Sequence, residues 1–258
     1  IGNNAFSDCN KLSSITIPSS VNIPEGISSI EDGLFNKYTN LESITIPESV
    51  ESIGNSAFYG TGLTSINIPE NVTYIGYGAF SGCANMISIN VSPNNKVFKS
   101  NEGVLFNYTE NELLCYPAGK SDKYSIPSDV EKIGDSAFSG CTELSSITIP
   151  SSVKFIGRLA FSNCLNLNSV TYNGIDDPGI DSNAFDNCNN LIKVKVPENY
   201  NGDTFCGKNI TRMQTESNSN TVIIATTVSV VAILIIAGIT VVICFHKRST
   251  SKYEDENI

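Results

Sequence analysis

The 258-residue sequence contains no tryptophan and a single histidine, His246. No imidazole is therefore available before residue 246. That excludes a Ser-His-Asp or Cys-His catalytic arrangement there and removes mixed His/Cys zinc sites. No enzyme activity, cofactor or metal site is expected. Charge is also scarce. Only 16% of residues are charged, and acidic residues outnumber basic ones by 26 to 16, for a net charge of −10. An acidic body without clustered lysine and arginine is a poor partner for nucleic acid. Carboxylates such as Glu48, Glu70 and Asp129 recur at regular spacing in polar turns and read as a solvated face.

What the sequence does have is one unit, repeated. It is plainest at Ile133-Gly134-Asp135-Ser136-Ala137-Phe138-Ser139-Gly140-Cys141, running on through Leu144-Ser145-Ser146-Ile147-Thr148-Ile149-Pro150 to Val153. Its phenylalanine returns at Phe6, Phe35, Phe58, Phe80, Phe138, Phe161 and Phe185, with gaps of 29, 23, 22, 58, 23 and 24 residues. A period near 23 is the signature of a solenoid. One coil cannot bury enough apolar surface to offset its own ordering, so coils must stack and share a core. The L-x-S-I-x-I segment alternates apolar and small polar residues like a half-buried strand. It should place Ile15, Ile44, Ile66, Ile89, Ile147, Val170 and Val194 in one buried column. Proline closes the strand because it cannot donate to a ladder. The V-x-x-I-G part returns along the far side, and its glycine is expected to permit the tight turn into A-F-x-x-C.

The expected fold is a β-rich repeat solenoid over residues 1–205. A parallel sheet lines its concave face, and short turns or 3₁₀ pieces line the convex face. The long gap between Phe80 and Phe138 holds an inserted unit, 92–123. In it Val104-Leu105-Phe106 and Leu113-Leu114-Cys115 flank a polar turn and predict a β-hairpin spanning the solenoid. Residues 206–221 form the cap end and a polar stalk. Val222 to Phe245 carries no charge. As a helix it would be about 36 Å long, enough for a hydrocarbon core of about 30 Å. The basic His246-Lys247-Arg248 that follows favours a cytoplasmic tail, 246–258. The chain starts at Ile1-Gly2, inside a repeat and without a leader. A solenoid needs a polar cap over its first coil, so this reads as the C-terminal part of a longer protein.

Of the eight cysteines, Cys9, Cys83, Cys141, Cys164 and Cys188 each lie three residues after a repeat phenylalanine. Cys115 and Cys206 lie outside that ladder. Seven before the apolar run is an odd number, so full pairing within one chain is excluded. Equivalent side chains on stacked coils run parallel, whereas a disulfide needs them to converge. The ladder therefore reads as buried free thiols. Cys244, at the inner end of the apolar run beside Lys247 and Arg248, is a candidate for lipidation.

The repeat Ile-Pro-Ser-Ser-Val-x-x-Ile-Gly-x-x-Ala-Phe-x-x-Cys resembles the BspA-like family of treponemal-type leucine-rich repeats. The resemblance extends to Glu102-Gly103-Val104-Leu105-Phe106 and Cys115-Tyr116-Pro117. The C-terminal span and short tail are similar to the family's protist branch. Leu34, Tyr38 and the Gly60-Thr61-Gly62 segment depart from the pattern. The resemblance implies a cell-surface role in adhesion or recognition and no enzymatic activity.

Binding is expected on the outward strand positions, where Ser146, Thr148, Ser169 and Thr171 form the most regular stretch and Lys193 and Lys195 add the only positive charge. An extracellular protein or glycan is the expected partner, and the membrane is engaged by the single span. Sequons at Asn71, Asn90, Asn107 and Asn209 are candidate glycosylation sites. Two other readings stay open. One is a non-catalytic signalling or sorting receptor, whose tail is too short for a catalytic domain. The other is a tail-anchored cytosolic scaffold, in which free thiols would sit comfortably.

Overall fold

The computed structural model of the protein describes residues 20–179 and 182–214. The predicted span 222–245, Cys244, the tail 246–258 and the repeat residues Phe6, Cys9 and Ile15 lie outside the described residues. Among the described residues no helix is long and apolar enough to cross a membrane.

The described chain is a β-solenoid. Its L-x-S-I-x-I segments form parallel strands on one side. Ser20–Asn22 pairs with Ser43–Thr45, and Ser65–Ile68 pairs with Ser88–Val91. A longer ladder runs Lys123–Ser125, Ser146–Ile149, Ser169–Tyr172, Val194–Val196 and Lys208–Arg212. The sheet thus continues past residue 205, and Thr204–Phe205 folds back antiparallel on its last strand. The V-x-x-I segments form a second set of short parallel strands: Ser29–Ile30, Ser52–Ile53 and Tyr74–Ile75, then Glu112–Cys115, Lys132–Ile133 and Phe155–Ile156. In Ser146–Ile149, Ile147 and Ile149 are buried while Ser146 and Thr148 face outward. Ile66, Ile89, Ile147, Val170 and Val194 are all buried, as the period-2 pattern requires, while Ile44 is half-buried at the first described coils.

The repeat aromatics stack as a column. Ring centroids lie 5.3 Å apart for Phe35–Phe58, 5.7 Å for Phe58–Phe80, 4.9 Å for Phe138–Phe161 and 4.8 Å for Phe161–Phe185. Tyr116 of the insert stacks on Phe138 at 5.1 Å and fills the aromatic place of its own coil. Phe205 closes the far end beside Phe185.

Two expectations need correction. The insert is a three-stranded antiparallel meander, Phe98–Asn101, Val104–Asn107 and Glu112–Cys115, rather than a two-stranded hairpin. The turn at Glu102-Gly103 has φ of 50° and 80°, as a two-residue I′ turn requires. Its middle strand is buried on both sides. Leu105 belongs to the core of the first half, while Val104 and Phe106 belong to that of the second. The meander is therefore a shared wall between two cores. The second correction concerns the glycine of Ile-Gly. At Gly54, Gly76 and Gly157 φ is not positive. A Cβ on Gly157 would instead stand 2.6 Å from the Asp135 amide nitrogen of the preceding coil. This glycine serves close approach, and the left-handed residues lie elsewhere in the turn, at Ser56, Ser136 and Leu159. Among the described residues the turns are mostly irregular, with one 3₁₀ piece at Ser182–Phe185.

Candidate functional site

Strand register decides which outward side chains meet. Lys123, Ser146 and Ser169 align in one row, and Ser125, Thr148, Thr171, Lys195 and Thr211 in the next. Lys193 precedes Val194, which pairs with Val170, so it continues the first row after Ser169. Adjacent strands of a sheet stand about 4.8 Å apart. The structure therefore brings Ser146, Thr148, Ser169, Thr171, Lys193 and Lys195 together on one face. It also adds Lys123 and Ser125, which the sequence reading left out. Lys193 and Lys195 are thus not the only cations on this face, because Lys123 stands at the opposite end of the rows. The signal that could have found it is Lys123-Tyr124-Ser125-Ile126-Pro127, a strand unit in which tyrosine replaces the central isoleucine.

Ser146, Thr148, Ser169 and Thr171 are half-buried between neighbours, while Ser125, Thr211 and the three lysines are exposed. The salt bridges among the described residues are Lys99–Glu110 and Lys132–Glu112, both on or beside the insert. None of the three row lysines is in an ion pair there, so their charge is available to a ligand. The first half carries a different face. Asn90 Nδ2 donates to Asn67 Oδ1 at 3.0 Å, and Ser88 Oγ donates to Asn90 Oδ1 at 2.7 Å. A shallow groove of about 360 Å³ crosses Thr45, Asn67 and Asn90.

The sequon asparagines differ in availability. Asn71 and Asn209 are exposed. Asn71 Nδ2 donates to the Glu48 carbonyl at 2.8 Å. Asn90 is exposed but joined to the amide pair just described. Asn107 is half-buried in the meander turn. Its Nδ2 donates to Asn111 Oδ1 at 2.7 Å and to Thr109 Oγ1 at 3.1 Å, and its Oδ1 accepts from the Glu112 amide at 3.0 Å.

The cysteines among the described residues sit in the interior as free thiols. Cys83, Cys164 and Cys188 donate to the carbonyl of the aromatic residue one coil back, at 3.0, 3.1 and 2.9 Å from Phe58, Phe138 and Phe161. Cys141 does the same to Tyr116 at 3.6 Å. Thr61 stands in the cysteine place of its coil, with Oγ1 3.2 Å from Cys83 Sγ. Neighbouring thiols of the stack, and then burial, push Cys164 and Cys188 above the ordinary thiol range. Burial raises Cys83, against the hydrogen bond from Thr61. A thiol held protonated is a packing group, not a nucleophile.

Stacked-coil solenoids present extended surfaces of this kind, with side chains from successive strands aligned in rows. The family model for the BspA-type leucine-rich repeat region matches residues 1–113 and 110–226, with six copies. The chain belongs to the BspA-type leucine-rich repeat family. It is similar to a leucine-rich cell-surface protein of Faecalibacterium prausnitzii, with 29% identity and a TM-score of 0.57, over 78% of this chain and 61% of that one. It also aligns with a leucine-rich repeat protein of Eubacterium ventriosum at 25% identity and a TM-score of 0.46, over 76% and 72% of the two chains. No curated protein matches the chain significantly.

Proposed function

We propose that the protein is a single-span cell-surface recognition protein of the adhesin kind. The ligand is an extracellular glycan or protein, held by the outward rows of the second-half sheet. The observation that carries this reading is the parallel register of Ser146, Ser169 and Lys193 with Thr148, Thr171 and Lys195. Hydrogen-bonding groups and unpaired lysines repeat there at strand spacing, with Lys123 at the other end. The family and the surface designation of the F. prausnitzii relative support the location. The apolar run 222–245 supports an anchor that leaves residues 246–258 in the cytoplasm.

Such a face has no aromatic anchor, so a single domain binds weakly, and many copies on one surface supply the avidity. Exposed lysines are screened by salt, so binding falls with ionic strength. Acidic glycans and acidic protein patches fit best. The test is an array of immobilised glycans and matrix proteins, probed with the full chain and with a Lys123→Glu, Lys193→Glu, Lys195→Glu variant. Salt-sensitive binding to acidic spots that the variant loses supports the reading. Binding that the variant retains places the ligand elsewhere. Glycans on Asn71 and Asn209 would show passage through the secretory route, and their absence from the purified chain would favour the tail-anchored scaffold.

A further inference from the structure

The insert leaves a defect in the stack, and the defect is a cavity. In regular coils five positions separate the buried isoleucine from the aromatic, as in Ile53 to Phe58 and Ile133 to Phe138. In the insert coil Leu113 pairs with Ile133, and Tyr116 takes the aromatic place, donating its amide to the Ala137 carbonyl at 2.8 Å. Only three positions separate them. The turn that would cover the preceding coil is two residues short. A cavity of about 190 Å³ lies there, between Ile75–Ser81 on one side and Leu105, Leu114, Cys115 and Ser136 on the other.

The hydrogen-bond ladder breaks at the same point. The amides of Ser56, Phe58 and Gly60 donate forward to Tyr77, Ala79 and Ser81, and those of Ser136, Phe138 and Gly140 to Arg158, Ala160 and Ser162. In the coil between, Gly82 reaches the Ser139 carbonyl at 3.1 Å. The equivalent amides of Gly78 and Phe80 have no acceptor among the described residues, and both residues line the cavity. Phe80 is buried and Gly78 half-buried, and a buried amide without a partner is costly and uncommon. The side chain at this edge changes too. Asp32, Asn55 and Asp135 each use Oδ1 to accept the amide of the following coil, at 2.6, 3.0 and 2.8 Å. The same place beside the cavity holds Tyr77, 62% exposed.

From this geometry we infer that the cavity is a second ligand site, for a neutral pyranose unit of a glycan. An exposed tyrosine ring offers an apolar face to sugar C–H groups and a polar tip to water. The Gly78 and Phe80 amides donate to ring hydroxyls, and the Glu112 and Asp135 carboxylates at the rim accept from them. An anion fits poorly. The cation at the site, Lys132, is held by Glu112 at 2.8 Å and stands 5.4 Å over the Phe155 ring. The lining mixes apolar Leu105 and Leu114 with the convergent polar groups of Tyr77, Glu112 and Asp135, and concave sites of this mixed kind are where small ligands are oriented.

The test uses the full chain, ¹⁵N-labelled, in a detergent without a sugar head group. Methyl glycosides of glucose, galactose, mannose and N-acetylglucosamine are titrated, with acetate as the anionic comparison. At least one glycoside should receive saturation transfer from the protein and shift the Gly78 and Phe80 amide resonances. Tyr77→Ala should weaken that binding by at least about tenfold, Tyr77→Phe should keep it, and the triple lysine variant should leave it unchanged. The exposure of Tyr77 predicts an unchanged thermal midpoint for Tyr77→Ala, which separates loss of binding from loss of fold. No transfer to any glycoside, equal binding by Tyr77→Ala, or shifts of these amides by acetate but not by sugars would overturn the inference.

Discussion

At the residue scale, the aromatic of one coil and the cysteine of the next work as a pair where both are present. The ring stacks on its neighbours, and its carbonyl accepts the thiol of the next coil. Both were legible as a ladder because each recurs at one place in the period. Their bond to each other was not, since spacing along the chain says nothing about which carbonyl a thiol meets. Phe138 is fully buried between Tyr116 and Phe161. Phe138→Ala should cost about 3–5 kcal/mol through cavity formation, measured by denaturant unfolding; a loss under about 1 kcal/mol would mean the column is not the core. The interior also predicts a pH dependence. Burial pushes Tyr172 up to about 12 and raises Cys83 and Tyr116 as well. A raised pKa in the folded state means the unfolded chain releases its proton first. Stability is therefore intact below the ordinary values and falls as pH rises, for Tyr172 between about pH 10 and 12. Thermal melts across that range should show the fall, and Tyr172→Phe should make it shallower.

At the element scale, the strands and their inward column followed from the period-2 pattern and the prolines. The meander was only partly readable. Val104-Leu105-Phe106 announced a strand because it is apolar throughout, and the reason is now visible: it faces two cores. Phe98-Lys99-Ser100-Asn101 gave no such signal, since most of it is polar and only its pairing across Glu102-Gly103 makes it a strand. The shortened step from Leu113 to Tyr116 was hidden too, because the insert coil has no Ile-Gly-x-x-Ala-Phe to measure against. The repeat glycine was legible as a requirement but not as to its cause. Because a Cβ on Gly157 would meet the Asp135 carboxylate and also the backbone of Asp135 and Gly134, which cannot swing aside, Gly157→Ala should cost about 1–3 kcal/mol by overpacking. An unchanged unfolding midpoint for that variant would show that the coils can separate there without penalty.

At the scale of the whole molecule, the solenoid turns a weak local feature into a surface. One strand offers two small hydroxyls; five strands in register offer two rows, with Lys123 at one end and Lys193 and Lys195 toward the other. The architecture could be read from the repeat alone. The extent of the face could not, because Lys123 sits in a degenerate unit and joins the rows only through its pairing with Ser146. The most direct measurement is attachment of cells displaying the full chain to a surface coated with the acidic ligand selected on the array, before and after protease shaving. The expected result is attachment that shaving removes, that declines with salt, and that is lost when Lys123, Lys193 and Lys195 are reversed to glutamate while Thr148 and Thr171 carry bulky replacements. Attachment that survives all five changes, and is abolished instead by substitutions near Tyr108 on the meander, would contradict the assignment of the strand face.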